Sequence, residues 1–499
     1  MKHGICLLVI MVLGQEILAQ QPLLNKTFAD YEGNIAWSII MEDSSYVLAG
    51  GGWSDTFGGF NSIKILRVSH QGVLDWTKVY GQSGYGYYMG LSGSLIRTRD
   101  GNYVGFGTIV NDATNYARAL IIKFNAIGDT LWTRSFPRVG RNIFFNGIEL
   151  SNGDLIATGS STPPSSANSQ MWLVKMDSLG TLLWQRTYGG TEFDESWRVI
   201  QTEDDGFILA GATNSFGAGL RDGFIVKTDS AGSQQWQQTY GTGWKEYHLQ
   251  ITSCSDGGYY IWGNSQNEDM VNGFPTYEKK AYITKITNNG DEEWTNVLHQ
   301  DLFEWAYIND LKEIDEDGNL FFVGRRKKES DIVDSGWIGK LDSRGTLIWE
   351  RYYTNTGNDG TFASDLKSFQ ITPDNRIACS GMGMVPGTIF ANQQDFWLLV
   401  LDSMGCLLPG CDTLLGLDDI ATARLETRLY PNPTNGTLTI ELPIAGVGVF
   451  SLYSLLGQQV FTKSLTQTTT TLALDFPSGI YLYRITQNGQ SQTGKLVVE

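Results

Sequence analysis

The chain has 499 residues, 41% hydrophobic and 18% charged, and Lys+Arg 36 against Asp+Glu 53 leave a net charge of −17. That balance excludes a nucleic-acid binder, which needs Lys and Arg against phosphates, and argues against an anionic membrane surface. Its 58 glycines keep no triplet spacing, which excludes collagen, and the hydrophobic fraction excludes general disorder, so an aromatic-rich, turn-rich globular protein remains.

Residues 1–19 read as a secretory signal. Lys2 and His3 precede the apolar run Ile5 to Leu13, and Ala19 stands before the expected cleavage. The run is about half the roughly 20 residues that a bilayer requires, and no later stretch is apolar for long enough to span. The expected mature chain is exported and carries no transmembrane segment.

Residues 20–413 contain seven copies of one unit. A middle glycine recurs at Gly50, Gly107, Gly159, Gly211, Gly263, Gly324 and Gly381, a period of 52 to 61 residues. A turn glycine follows at Gly72, Gly128, Gly180, Gly232, Gly290, Gly345 and Gly405. Four residues later comes Trp76, Trp132, Trp184, Trp236, Trp294 or Trp349, and in the last copy Pro409. Each copy holds four short β-branched and aromatic runs bounded by Asp-Gly, Asn-Gly or Ser-x-Gly turns, with no helical period between them. Four strands repeated seven times predict an all-β fold with a seven-bladed β-propeller, in which the recurring Trp packs between blades. Asn25-Lys26-Thr27-Phe28 matches Gln185-Arg186-Thr187-Tyr188, a fourth strand, and the last copy lacks its own. Residues 22–29 are therefore expected to complete the last blade and remove a sheet edge.

Propeller ligands collect at the mouth of the central channel. The loops expected there supply aromatics and carboxylates: Tyr85, Tyr87 and Tyr88, then Phe193, Asp194 and Glu195, then Trp244 and Glu246, then Glu304 and Trp305. Flat rings stack on a pyranose face and carboxylates accept bonds from hydroxyls, so this rim is the candidate ligand site. Asp194, Glu195, Glu246 and Glu304 are the carboxylates that glycoside cleavage would draw on, since it needs two across a cleft. The alternative for the aromatics, Trp305 among them, is packing. No nucleophile elbow, phosphate loop or His-Glu-x-x-His occurs, and Glu313-Ile-Asp315-Glu-Asp317-Gly318 aligns with hairpin turns instead of a calcium loop. No metal and no cofactor are expected. Cys406 and Cys411 have the spacing of a local disulfide in an exported protein, whereas Cys254 and Cys379 read as small buried thiols.

Residues 414–427 carry no repeat and read as a linker. From 428 to 499 the composition changes: charges thin out, and about six short alternating strands follow, which suggests a small Ig-like sandwich. Its marks are Leu429-Tyr430-Pro431-Asn432-Pro433 with Gly436, then Leu452-Tyr453 with Gly457, then Ser478-Gly479-Ile480-Tyr481 with Tyr483, then Gly494-Lys495 and Val498. In that order they resemble the type A C-terminal sorting domain of the type IX secretion system of Bacteroidetes-type bacteria. The repeats are similar to secreted propeller-like repeats that accompany this domain. The resemblance implies export through the outer membrane, with the secretion machinery and its sortase as partners, and a final place in the medium or on the outer face of the outer membrane. The expected role is a non-catalytic binding protein for glycans or envelope proteins. The alternatives are a carbohydrate-active enzyme using the rim carboxylates and a scaffold without a small ligand.

Overall fold

The computed structural model describes residues 23–28, 34–54, 60–136, 140–162, 168–218, 220–241, 245–271, 274–298, 305–315, 317–327, 334–354, 364–384, 394–407, 427–442, 448–454, 459–487 and 490–498. Regular structure among them is all β, without a helix. Two compact units form, residues 1–409 and 410–499.

In the first unit each sequence repeat folds into consecutive antiparallel strands. Repeat four is representative: Asp194–Gln201, Phe207–Thr213, Asp222–Thr228 and Gln234–Tyr240 pair in that order. Its two middle strands are buried along their whole length, which fits their near-continuous apolar sequence. Repeat two departs from this pattern, because its first strand breaks into Tyr85–Met89 and Leu95–Arg97 around Gly90 and Gly93. Repeats five and six are joined into one eight-stranded sheet by a single parallel pair, Lys279 with Trp305.

The middle glycine has a backbone cause. In five repeats the first strand carries a bulge opposite it, between Ala36 and Ser38, Phe144 and Asn146, Ser196 and Arg198, Ile308 and Asp310, and Leu366 and Ser368. The bulge turns a carbonyl toward the second strand. A Cβ at Gly50, Gly159, Gly211, Gly324 or Gly381 would lie 1.7 to 2.0 Å from that oxygen, so only glycine fits.

The turn glycine and the tryptophan belong to one contact. Gly72 and its six equivalents adopt φ between 72° and 87°. The six equivalents present their bare Cα side to the preceding repeat's Trp: Gly128 to Trp76, Gly180 to Trp132, Gly232 to Trp184, Gly290 to Trp236, Gly345 to Trp294 and Gly405 to Trp349. The same turn's carbonyl accepts a bond from Tyr80 (2.5 Å), Tyr188 (2.6 Å) or Tyr240 (2.6 Å).

Leu24–Phe28 pairs antiparallel with Gln394–Leu401 and becomes the outer strand of the seventh repeat. Leu24 and Lys26 stand at Gly72 where a Trp and its neighbours stand elsewhere, and Lys26 Nζ donates to Gly72 O at 3.0 Å. Asn25 Oδ1 accepts from the buried Trp397 indole at 2.7 Å, as Gln185 does from Trp172 at 3.0 Å. The terminal segment therefore reproduces a fourth strand contact by contact.

Successive repeats pack face to face across apolar seams. Val104, Phe106 and Ile121 meet Phe144, Leu155 and Trp172, and Ile208 and Ile225 meet Leu249 and Ile261. The seventh repeat in turn packs on the first, through Leu24, Phe396 and Leu398 against Ile39, Tyr46 and Leu48. Sheets that each pack on the next, with the last on the first, form a ring, the arrangement of a β-propeller.

The second unit is two sheets on a shared core. One pairs Arg428–Tyr430, Thr437–Glu441 and Thr469–Ala473, and the other pairs Gln459–Leu465, Gly448–Tyr453, Gly479–Gln487 and Gln490–Val498. Leu438, Ile440, Phe450, Leu452, Ile485 and Leu496 fill the space between them.

Candidate functional site

Two hollows are lined mainly by first strands and together draw on all the repeats. One, of about 200 Å3, takes Trp37, Leu91, Gln250, Tyr307, Asn309, Asp365 and Lys367, with Arg325 and Met382 from second strands. The other, of about 530 Å3, takes residues further along the same strands, among them Ile40, Arg198, Lys312 and Gln370. The first strands thus share one direction along a central channel, and the smaller hollow is its mouth on the side where those strands begin.

At the mouth, charge and aromatic surface alternate. Asp365 accepts from Asn309 Nδ2 (2.6 Å) and Lys367 Nζ (2.6 Å), with Arg325 Nε at 3.7 Å. Arg325 also pairs with Asp334 at 3.3 Å and lies 4.4 Å from the Tyr307 ring centre. Lys367 sits 4.6 Å from the Trp37 ring. Burial lowers the Lys367 pKa, partly offset by Asp365; burial also lowers that of Arg325, but Asp365 and Asp334 leave it above its usual value.

The rim residues expected from sequence are scattered, and most are strand residues. Tyr85 and Tyr87 lie on the paired strand Tyr85–Met89, because the interruption of repeat two falls after them. Burial raises the Tyr87 pKa. Asp194 opens a first strand, is fully buried, and accepts from Gly190 N at 2.8 Å, Ser215 Oγ at 2.9 Å and Thr213 Oγ1. It ties its own loop together. Glu195 pairs with Arg221, whose guanidinium lies 5.4 Å from both Trp197 and Tyr247. Phe193 is exposed, Glu246 is buried on the strand Lys245–Ser253, and the Trp305 ring has Lys279 at 4.8 Å and Lys327 at 5.9 Å. Trp244 and Glu304 lie outside the described residues, as do Cys411 and Gly457. Cys254 and Cys379 are free and buried, and burial pushes the Cys254 thiol up to about 11. The turn at Asp315–Gly318 closes a hairpin, with Ile314 N bonded to Asn319 O at 2.9 Å. Among the described residues no group of three potential ligands could hold a metal ion, and no helix is long and apolar enough to cross a membrane.

Trp37, Tyr307, Asn309, Asp365 and Lys367 were hidden because they look like ordinary strand residues. The available signal was a charge inside an apolar run, as in Asp365-Leu-Lys367-Ser-Phe, whose burial needs a partner or a channel.

In the second unit the sorting marks hold the last strand. Asn432 Nδ2 donates to Lys495 O at 2.7 Å and its Oδ1 accepts from Val497 N at 2.9 Å. Gly436 has φ 108° and its carbonyl accepts from Leu474 N at 2.7 Å. Tyr481 donates to Pro477 O at 2.9 Å; Pro431 and Pro433 flank Asn432 in the turn, Gly479 begins a strand, Tyr453 ends one, and Lys495 is exposed on the last. Residues 428–499 match the secretion system C-terminal sorting domain. A tail of this family indicates export, to the cell surface or the medium, and engagement with the secretion machinery. The regulatory protein FlaEY of Caulobacter vibrioides is 23% identical over 187 residues, 34% of this chain, which spans about a fifth (20%) of that curated relative's length. Among solved structures, the α-L-arabinofuranosidase Arb93A from Fusarium graminearum is 12% identical with a TM-score of 0.40, covering 62% of this chain and 91% of that one. The β-propeller domain of the Trilobed protease from Pyrococcus furiosus, described as having an open velcro topology, is 9% identical with a TM-score of 0.41, covering 75% and 94%.

Proposed function

We propose that the chain is an exported seven-bladed β-propeller that binds a glycan or an envelope protein at the mouth of its channel without transforming it. In this reading residues 1–19 are a signal peptide, Cys406 and Cys411 form a disulfide, and the propeller ends near 413. The Ig-like domain after the linker is a type A type IX sorting domain, removed by the sortase. The observation that favours binding over cleavage is Asp365. It is the one carboxylate among the described residues lining the mouth, and two hydrogen-bond donors and the nearby Arg325 guanidinium hold it. Glycoside cleavage needs a second carboxylate and an acid that keeps its proton. A mouth of about 200 Å3 with Trp37 and Tyr307 beside fixed polar groups fits one residue of a larger ligand.

The test incubates the mature chain with insoluble polysaccharides and follows both protein depletion and release of reducing ends. Depletion without new ends, weakened about tenfold or more by Trp37→Ala at unchanged thermal stability, is the expected result. New ends would overturn the non-catalytic assignment. Without depletion, glycans drop out and envelope proteins remain as ligands.

A further inference from the structure

The far end of the channel has a chemistry that the mouth lacks. Its hollow of about 530 Å3 has one aliphatic side, with Ile40, Met41, Ile96, Ile148 and Ile200 half-buried, and none of its lining residues is aromatic. The other side is charged. Asp310, 2% exposed, accepts from Arg198 Nη1 at 3.2 Å, Ser368 Oγ at 3.1 Å and Phe369 N at 3.4 Å, with Lys312 Nζ at 3.5 Å. Burial alone would raise the Asp310 carboxyl, but Lys312 and Arg198 hold it below its ordinary pKa, so it is an anion.

One carboxylate thus faces Arg198 and Lys312; burial and Arg198 lower the Lys312 pKa while Asp310 raises it, and the exposed Arg97 adds a further cation on the lining. A chain of net charge −17 places a local excess of positive charge inside its own channel. Arg198 and Lys312 are partly screened from water, and an incoming anion would favour their charged forms. Donors remain for it: Asp310 and Gln250 both draw on Nη1 of Arg198, one of three guanidinium nitrogens. The aliphatic wall does not offer the flat face on which a sugar stacks.

We propose that this end of the channel binds a small amphipathic carboxylate, an aliphatic acid whose head lies between Arg198 and Lys312 and whose chain lies along Ile40, Ile148 and Ile200. The site is separate from the mouth, though Arg198 is bonded to Gln250 of the mouth's lining.

The test is calorimetric titration of the mature full chain with hexanoate, hexanol and inorganic phosphate. Hexanoate binds; hexanol, without the charge, and phosphate, without the chain, each bind about tenfold or more weakly. Lys312→Met removes one cation and lowers hexanoate affinity about tenfold or more while leaving hexanol unchanged. Because that variant disturbs a buried pair, Ile200→Phe provides a second test: it narrows the hollow, keeps every charge, and also weakens hexanoate. No hexanoate binding, equal binding of phosphate or hexanol, or hexanoate binding indifferent to both variants would each overturn the proposal.

Discussion

Gly324 sits across from a bulge whose Tyr307 carbonyl would lie 1.8 Å from an added Cβ. Gly324→Ala must therefore push two paired backbones apart, and we expect a loss of about 3 kcal/mol or more in urea unfolding, against under about 1 kcal/mol at Gly101, whose Cα faces open space, if its φ of 79° is kept by Gly101→Asn. Trp397 is buried and donates its indole N–H to Asn25; Asn25→Leu leaves that donor without its acceptor and should cost about 1–3 kcal/mol in the same assay. Lys64 is buried where equivalent third-strand positions hold Trp172, Trp337 and Trp397. Burial lowers its pKa to about 8 from 10.5, with Asp395 acting in the opposite direction. Below about 8 both folded and unfolded chains carry the proton, and the folded state bears the full cost of burying it. Between about 8 and 10.5 the unfolded chain binds the extra proton, so stability should rise with pH across that window. Denaturation midpoints across the window should rise for the native chain and flatten for Lys64→Met.

At the scale of strands and seams, much of the propeller could be read from sequence because its recurring residues answer to the backbone. The middle glycine faces a bulge carbonyl, and the turn glycine makes room for the neighbouring repeat's tryptophan. Identity at such positions is nearly forced, so repetition survives. The channel wall is different. Its residue type does not recur at the bulge: Trp37, Phe145, Trp197, Asn309 and Lys367 occupy the bulged position in five repeats, and each makes its own contacts. Without recurrence the mouth could not be found by pattern, and the loop aromatics drew attention instead. Tyr85 and Tyr87 lie on a strand and not in a loop because the break in repeat two comes at Gly90, after them. Trp184 packs under Gly232, and Trp184→Ala should cost about 3–5 kcal/mol, read as a lowered denaturation midpoint. Deleting residues 24–28 should cost more and also expose the edge of Gln394–Leu401, so size-exclusion chromatography should show self-association.

For the whole molecule, the C-terminal unit has a core of its own, made from Leu438, Phe450, Ile485 and their neighbours. Deleting 428–499 should therefore abolish release from the cell while leaving the thermal transition of the propeller in place, checked by cell fractionation and calorimetry. The sorting domain was legible because its marks are turn residues with backbone duties, Asn432 and Gly436 above all. The closing strand has a different consequence, one of timing. Asn25 and Trp397 are separated by 372 residues, so among the described residues the last sheet pairs strands from opposite ends of the propeller. Loop closure over that distance is slow, and local hairpins within each repeat form first. A chain that emerges from a pore with its N-terminus leading presents Leu24–Phe28 before any partner for it exists. Until the seventh repeat arrives, the ring stays unlatched, and the molecule in transit is held short of its most stable state by the order of its own sequence.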